Sequence, residues 1–296
     1  MVRRLIKREL VMGELGKLFR QHLVLRGLAE TTKELYEHAM VDLVRAYGGR
    51  SPETLTLEEV QAHLAHLATQ RKLAWSTLNV RVSAYRCFYQ GLLKRSDVEF
   101  SLPRRGKSHI RPHILDRASV QKILEAPVNL KHRALLAMVY GSGLRVGEVC
   151  RLRSCHIESA PDRMMVRVDQ GKGRKDRYTL LSQRALESLR AYWLQERPVE
   201  WLFMRAGGQG PMTKEGASHV YKTACAKAGI PRDRAHGIHT LRHCFASHLM
   251  EDGVALPVIQ RLLGHRNLST TSVYCHVSRA LLENVRSPCD RLSGGK

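Results

Sequence analysis

The chain has 296 residues, enough for two domains that each bury a core, and 43% of them are hydrophobic, which excludes a disordered tail. Lysine and arginine number 49 against 27 aspartates and glutamates, a formal net charge of +22. The excess is spread along the chain and not gathered in one tail, so a polyanion-binding surface is expected, with nucleic acid first; a basic but unrelated housekeeping protein is the alternative.

The N-terminus MVRRLIKREL is basic, but the apolar stretch of a signal peptide does not follow it. Leu15, Leu18, Phe19, Leu23 and Leu25 then keep helical spacing over about residues 10–26. Leu35, Ala39, Leu43 and Tyr47 form a second apolar stripe that stops at Gly48 and Gly49. Thr56 with Glu59 is a capping-box pattern opening a third helix through Val60, Leu64 and Leu67. Ser76 heads a fourth, with Val80, Tyr85, Phe88, Tyr89, Leu92 and Leu93 inward. Residues 1–102 therefore read as a small helical bundle. Residues 103–113, containing PRRGKSHIRP, suit an extended basic linker that either crosses a phosphate backbone or stays a solvated loop.

From 114 to 296 the pattern is mixed. Helices are predicted at 117–125, 131–140, 145–152, 183–196, 214–228, 240–251, 256–263 and 268–275. Arg163–Asp169 and Arg177–Leu181 alternate as two strands joined by a turn at Gly171 and Gly173. The fold class is mainly α with a small antiparallel β-sheet in the second domain. No run of about 18 apolar residues occurs, so no membrane span is expected. The seven cysteines (87, 150, 155, 225, 244, 275 and 289) form no CxxC pair, which fits free thiols in a reducing cytoplasm.

Three tempting motifs fail. In Gly141-Ser-Gly-Leu-Arg-Val-Gly147 the third glycine is one position late for a dinucleotide loop, and an arginine sits where a pyrophosphate needs room. Gly171-Lys172-Gly173 lacks the upstream glycine and the following Ser or Thr of a P-loop. His239 and His243, four apart, have zinc-ligand spacing, but Arg242 would set a cation beside the metal and no glutamate lies between them. No nucleotide cofactor and no metal are expected. Arg145 and Arg242 are more telling. Each lies in apolar helical surroundings, and a guanidinium fork clasps two phosphate oxygens at once. Taken singly, an arginine of this kind is more often a structural ion pair, as Arg145 would be with Glu148 at i+3.

Five fragments, SGLRVGE (142–148), GKGRKDR (171–177), HTLRH (239–243), LLGH (262–265) and STTSVYCHV (269–277), resemble the tyrosine recombinase (phage-integrase) family, in its order and at compatible separations. The likeness is closest to the compact Xer-like and transposon-borne type. Two departures are visible: Leu180-Leu181 stands where a proline often follows the KxR element, and the stretch from Lys172 to His239 is too short for the helical insertion of integron integrases.

The resemblance implies a site-specific recombinase that cleaves and rejoins duplex DNA without ATP or metal, through a 3′-phosphotyrosine on Tyr274 and a Holliday junction. It further implies that Arg145 and Arg242 hold the two non-bridging phosphate oxygens. Lys172 would protonate the leaving 5′-oxygen, and His239 and His265 would assist the proton transfers. It also implies a SAM-like core-binding domain and a catalytic domain closing on DNA as a C-shaped clamp. The assembly would be a homo-tetramer on two DNA sites, in bacterial cytoplasm and associated with the nucleoid. The eight other tyrosines (36, 47, 85, 89, 140, 178, 192 and 221) read mostly as core. Ser278–Lys296 either docks on a neighbouring protomer or frays. A type IB topoisomerase and a non-catalytic DNA-binding regulator are the rival readings.

Overall fold

The computed structural model describes residues 2–96, 99–102, 113–169, 176–205, 207, 208, 210–231, 233–265 and 271, with side chains of the first helix from 13 onward. The chain divides into two compact units, Met1–His109 and Ile110–Lys296. Of the expected linker 103–113, only His113 lies among the described residues.

The first unit is built from α1 (Val2–Leu25, broken at Gly13), α2 (Glu30–Ala46), α3 (Leu57–Thr69) and α4 (Trp75–Arg86), the last continued by a wide π-helical segment Cys87–Leu92. Phe19, Leu23, Ala39, Leu43, Val60, Leu64, Tyr85, Phe88 and Tyr89 make one core, and Phe19 meets Phe88 edge-on at 5.3 Å between ring centroids. Leu18, Leu25 and Leu35, expected inward, are instead exposed at 51%, 87% and 55%. A 3.6-residue period fixes a helix but leaves the edges of its apolar stripe undefined, and these leucines lie on those edges. Ser76 does not cap α4; Ala74 precedes that helix without a side-chain cap.

The capping box at α3 is present. Thr56 Oγ1 accepts from the Glu59 amide at 3.2 Å, and Glu59 Oε2 accepts from the Thr56 amide at 2.9 Å. Thr56→Ala removes one of these bonds and is expected to cost about 1 kcal/mol, read as a lower urea midpoint; Thr56→Ser should restore it. A midpoint equal to the parent's in the alanine variant would show that the box contributes nothing.

The second unit runs α5 (Arg117–Glu125), α6 (Leu130–Ser142), α7 (Val146–Val149), β1 (Ile157–Ala160), β2 (Arg163–Val168), β3 (Arg177–Leu180), α8 (Gln183–Glu196), α9 (Lys214–Lys227), α10 (His239–Glu251) and α11 (Leu256–Leu263). The three strands form one antiparallel sheet in the order β1-β2-β3, with Val168 opposite Arg177. Alternation expected β2 and β3 and missed β1, whose four residues are too few to show a period. The helix expected at 145–152 shrinks to Val146–Val149, so Arg145 stands before it on extended backbone (φ −72°, ψ 150°). The helix expected at 268–275 lies outside the described residues apart from Thr271.

Helix α6, buried continuously from Ala134 to Val139, is the central post: α8 and α10 pack along it, and α11 packs on β3 and α10. It ends at Gly143, which adopts the left-handed conformation (φ 59°). A Cβ there would come within 2.4 Å of the Phe245 ring, so only glycine allows the chain to turn this close to α10. That turn delivers Arg145 to the same end of the unit as the start of α10 and the close of α11.

Candidate active site

A buried carboxylate organises this end. Glu148 is the third residue of α7, and its side chain is only 7% exposed. Oε2 accepts from the Arg145 amide and Oε1 from Arg145 Nη1, both at 2.8 Å. Arg177, the first residue of β3, forks onto the same carboxylate, Nη1 to Oε1 at 2.9 Å and Nη2 to Oε2 at 2.8 Å. Arg242 Nη1 lies 3.9 Å from Oε2. Burial alone would raise the Glu148 carboxyl, but Arg177 and Arg145 outweigh it and hold the group at about 2. The expected pairing of Arg145 with Glu148 is therefore present, and it is one edge of a larger cluster.

The C-terminal end of α11 closes the cluster from the other side. Three successive carbonyls accept from the three arginines: Leu262 O from Arg177 Nε at 3.0 Å, Leu263 O from Arg242 Nη2 at 2.6 Å, and Gly264 O from Arg145 Nη2 at 3.4 Å. These carbonyls have no partner within the helix and carry its partial negative charge, so a guanidinium is the group they favour. Gly264 is left-handed (φ 63°), and a Cβ on it would stand 2.7 Å from Arg177 Cδ. Arg242, 3% exposed, also donates to the Gly143 carbonyl. Arg145 is the more open of the phosphate candidates, at 21%.

Three histidines border the arginines. His239 and His243, one turn apart on α10, meet edge-on at 6.1 Å. His265 follows α11, its Nε2 3.2 Å from Arg242 Nη2 and its Nδ1 2.9 Å from Thr271 Oγ1. Burial, and then Arg242 and Arg145, pushes His239 down. His265 falls to about 4 through burial and then Arg242, Arg145, Arg177 and His243. His243 falls to about 4 through burial, His239 and Arg242. All three shifts favour the uncharged ring at neutral pH, leaving the positive charge to the arginines.

The structure thus brings together Arg145, His239, Arg242 and His265. Lys172 and Tyr274 lie outside the described residues. Strands β2 and β3, on either side of Lys172 in the sequence, are paired, and Asp169 after β2 is held by His156 Nε2 at 2.9 Å. Tyr85, Tyr89, Tyr192 and Tyr221 are buried to within 2% exposure. Burial raises all four phenols, Tyr192 to about 12. Tyr178, at 46%, is the exposed exception to the expectation that these tyrosines are core. Among the described residues no group of three or more His, Cys, Asp or Glu could hold a metal ion, and the five cysteines are free. No described helix is long and apolar enough to cross a membrane.

Residues 113–280 match the phage integrase family, and residues 15–97 match the phage integrase N-terminal SAM-like domain. The chain belongs to the phage integrase family. It is a site-specific tyrosine recombinase of the integrase type. A putative integrase/recombinase, y4qK, of Sinorhizobium fredii is 37% identical over 96% of this chain and 91% of its own length. The tyrosine recombinase XerD of Ralstonia nicotianae is 32% identical over 88% of each. The XerH recombinase bound to its difH substrate in a pre-cleavage complex has the same fold, with a TM-score of 0.69 at 17% identity over 93% of this chain and 95% of that one.

Sequence reasoning passed over two residues of this integrase-family site. Arg177 closes the GKGRKDR fragment, but its place in the cluster was legible only in the strand period: it shares a face with Thr179, which is fully buried. A charge on the inward face of a strand demands a partner. Thr271 carried no signal beyond its place in a polar STTS run.

Proposed function

We propose that this recombinase cleaves duplex DNA by attack of the Tyr274 phenol on a backbone phosphorus. A Tyr274–phosphorus bond forms as the bond to the 5′-oxygen breaks. Lys172 gives the leaving 5′-oxygen its proton, while the phenolic proton passes to water or to a neutral histidine. Arg145 and Arg242 neutralise the two non-bridging oxygens as charge builds on them. His239 and His265 complete the hydrogen bonding around the phosphate. The ester energy stays in the 3′-phosphotyrosine, so a 5′-hydroxyl from a second duplex can displace the tyrosine and restore the diester with neither ATP nor metal.

The observation that carries this reading is the gathering of Arg145, Arg177 and Arg242 around one carboxylate and one helix end, with the His265–Thr271 pair beside Arg242. Such a cluster suits a phosphodiester and would orient it for Tyr274, which follows Thr271 by three residues in the sequence.

On the same reading, residues 1–102 form the core-binding domain, 103–113 the basic linker and 114–296 the catalytic domain. The two domains close around DNA as a C-shaped clamp. Four protomers act on two sites through a Holliday junction, on nucleoid DNA in a bacterial cytoplasm. The Tn1549 transposon integrase, which shares the fold with a TM-score of 0.69, is in complex with circular intermediate DNA, which supports DNA as the partner.

A nicked suicide duplex carrying the protein's mapped binding site tests the chemistry. A covalent protein–DNA adduct is expected, and peptide mapping should place the phosphotyrosyl bond on Tyr274. No adduct on a verified site, or an adduct on another tyrosine, would overturn the proposal. Incubating two such sites together should give recombinant joints; relaxation of supercoiled DNA without joints would point to a topoisomerase.

A further inference from the structure

His265 is gripped from both sides, and its two partners fix where its proton sits. A guanidinium donates and never accepts, so the 3.2 Å contact with Arg242 Nη2 requires a bare lone pair on His265 Nε2. The ring is neutral, and its single proton therefore rests on Nδ1, donated over 2.9 Å to Thr271 Oγ1. Thr271 is wholly buried in the DNA-free protein, which favours that contact over hydration of the hydroxyl.

This tautomer is the wrong one for holding a phosphate. A bare Nε2 repels a phosphate oxygen, whereas an Nε2–H donates to it. To reach the second form His265 needs a partner at Nδ1 that can accept a hydrogen in one state and supply one in the other. A carbonyl or carboxylate would lock the proton on Nδ1. An amide N–H would lock it off. A hydroxyl does both by turning about its C–O bond.

We propose that Thr271 is a positioning residue whose hydroxyl accepts from His265 in the DNA-free protein and donates to it once a phosphate has drawn away the Arg242 hydrogen. This rests on the reading of the site as a phosphotransfer centre. No net charge moves in the exchange. The Nδ1 proton leaves to water, Nε2 takes one from water, and the threonine hydrogen swings onto Nδ1. Protonating the whole ring instead is opposed by its surroundings. Arg145 before α7, Arg177 on β3, and Arg242 and His243 on α10 all face it, while Glu148 is already engaged by the arginines. Thr271 also precedes Tyr274 by three residues, so the same contact ties the His265 ring to the segment that bears the nucleophile.

Nitrogen NMR of the full chain labelled with ¹⁵N-histidine reads the tautomer directly, with His265→Gln identifying the signal. At neutral pH the DNA-free protein should show a protonated Nδ1 and a bare Nε2, and the complex with an uncleaved duplex carrying the mapped site should show the reverse. A protonated Nε2 in the DNA-free protein, or one tautomer in both states, overturns the proposal. In single-turnover cleavage of the suicide duplex, Thr271→Val keeps the shape and loses the hydroxyl, and should be slower by about 10-fold or more, a part of what general acid–base assistance contributes. Thr271→Ser should recover most of that rate. Valine at the parental rate, or serine as slow as a folded valine variant, also overturns it. A parent that forms no adduct is a failure of the recombinase reading and not of this one, since the DNA-free spectrum decides the Thr271 contact separately.

Discussion

Arg242→Ala is expected to slow DNA cleavage by at least about 10²–10³-fold, the loss typical of a single oxyanion donor. Two jobs are lost together. The fork that would hold a non-bridging oxygen disappears, and so does the brace between the end of α6 and the end of α11, because Arg242 donates to both the Gly143 and the Leu263 carbonyls. Those carbonyls become buried acceptors without partners, at about 1–3 kcal/mol each, so the variant should also melt earlier. Arg242→Lys separates the two contributions. An ammonium keeps the charge but cannot span two carbonyls and a phosphate from one plane. It should regain part of the thermal stability while cleaving nearly as slowly as alanine. Single-turnover rates on a suicide duplex and melting curves of the three proteins make the comparison. An alanine variant that melts early yet cleaves at close to the parental rate would reduce Arg242 to a structural brace.

How much of this was legible in the sequence depended on how local the signal was. The α3 capping box is written in residues three apart, Thr56 and Glu59, and the structure has it as read. The strands β2 and β3 follow from alternation, and α5, α8 and α11 match their predicted ranges end for end. The site is different, because its order comes from contacts across the chain. Arg145 and Glu148 are one turn apart, and their pairing can be read from spacing. Arg177 meets that same carboxylate from 29 residues away, and the Leu262–Gly264 carbonyls meet the arginines from a helix end whose position is marked by Gly264 but whose partners are not. Backbone acceptors are invisible to motif reading, since every residue carries one. That is also why Arg145 was expected on a helix: its apolar neighbours suggested one, whereas Gly143 and the Glu148 cap place it at the break between two. The exposed Leu18, Leu25 and Leu35 show the converse error, in which an apolar residue at helical spacing was assigned to a core that it borders.

Glu148→Gln should show why a site proposed to receive a phosphate already contains a carboxylate. Glutamine preserves the shape but turns an NH₂ group toward a guanidinium and removes the charge that offsets Arg145, Arg177 and, at 3.9 Å, Arg242. The carboxyl stands at about 2 in the folded chain against an ordinary value of 4.5. A depressed folded value means that the stabilisation is fully present above about 4.5 and is lost as the pH falls toward about 2. Converted by linkage, the shift is on the order of 3 kcal/mol, similar to the roughly 3–5 kcal/mol seen when one partner of a buried pair is removed. At pH 7 the glutamine variant is therefore expected to melt several degrees below the parent. The gap should narrow steadily as acid protonates Glu148 in the parent and should nearly vanish where both chains are neutral at that position. Melting the two proteins side by side across that range is sufficient, since other carboxylates titrate in both and cancel. A gap that stays constant from neutral to strongly acid pH would mean that glutamine disturbs packing alone. The charge explanation also requires slower cleavage by the variant at neutral pH, where it is folded: without the carboxylate, Arg145 and Arg177 repel each other, and the fork that should meet the phosphate is no longer aimed before DNA arrives.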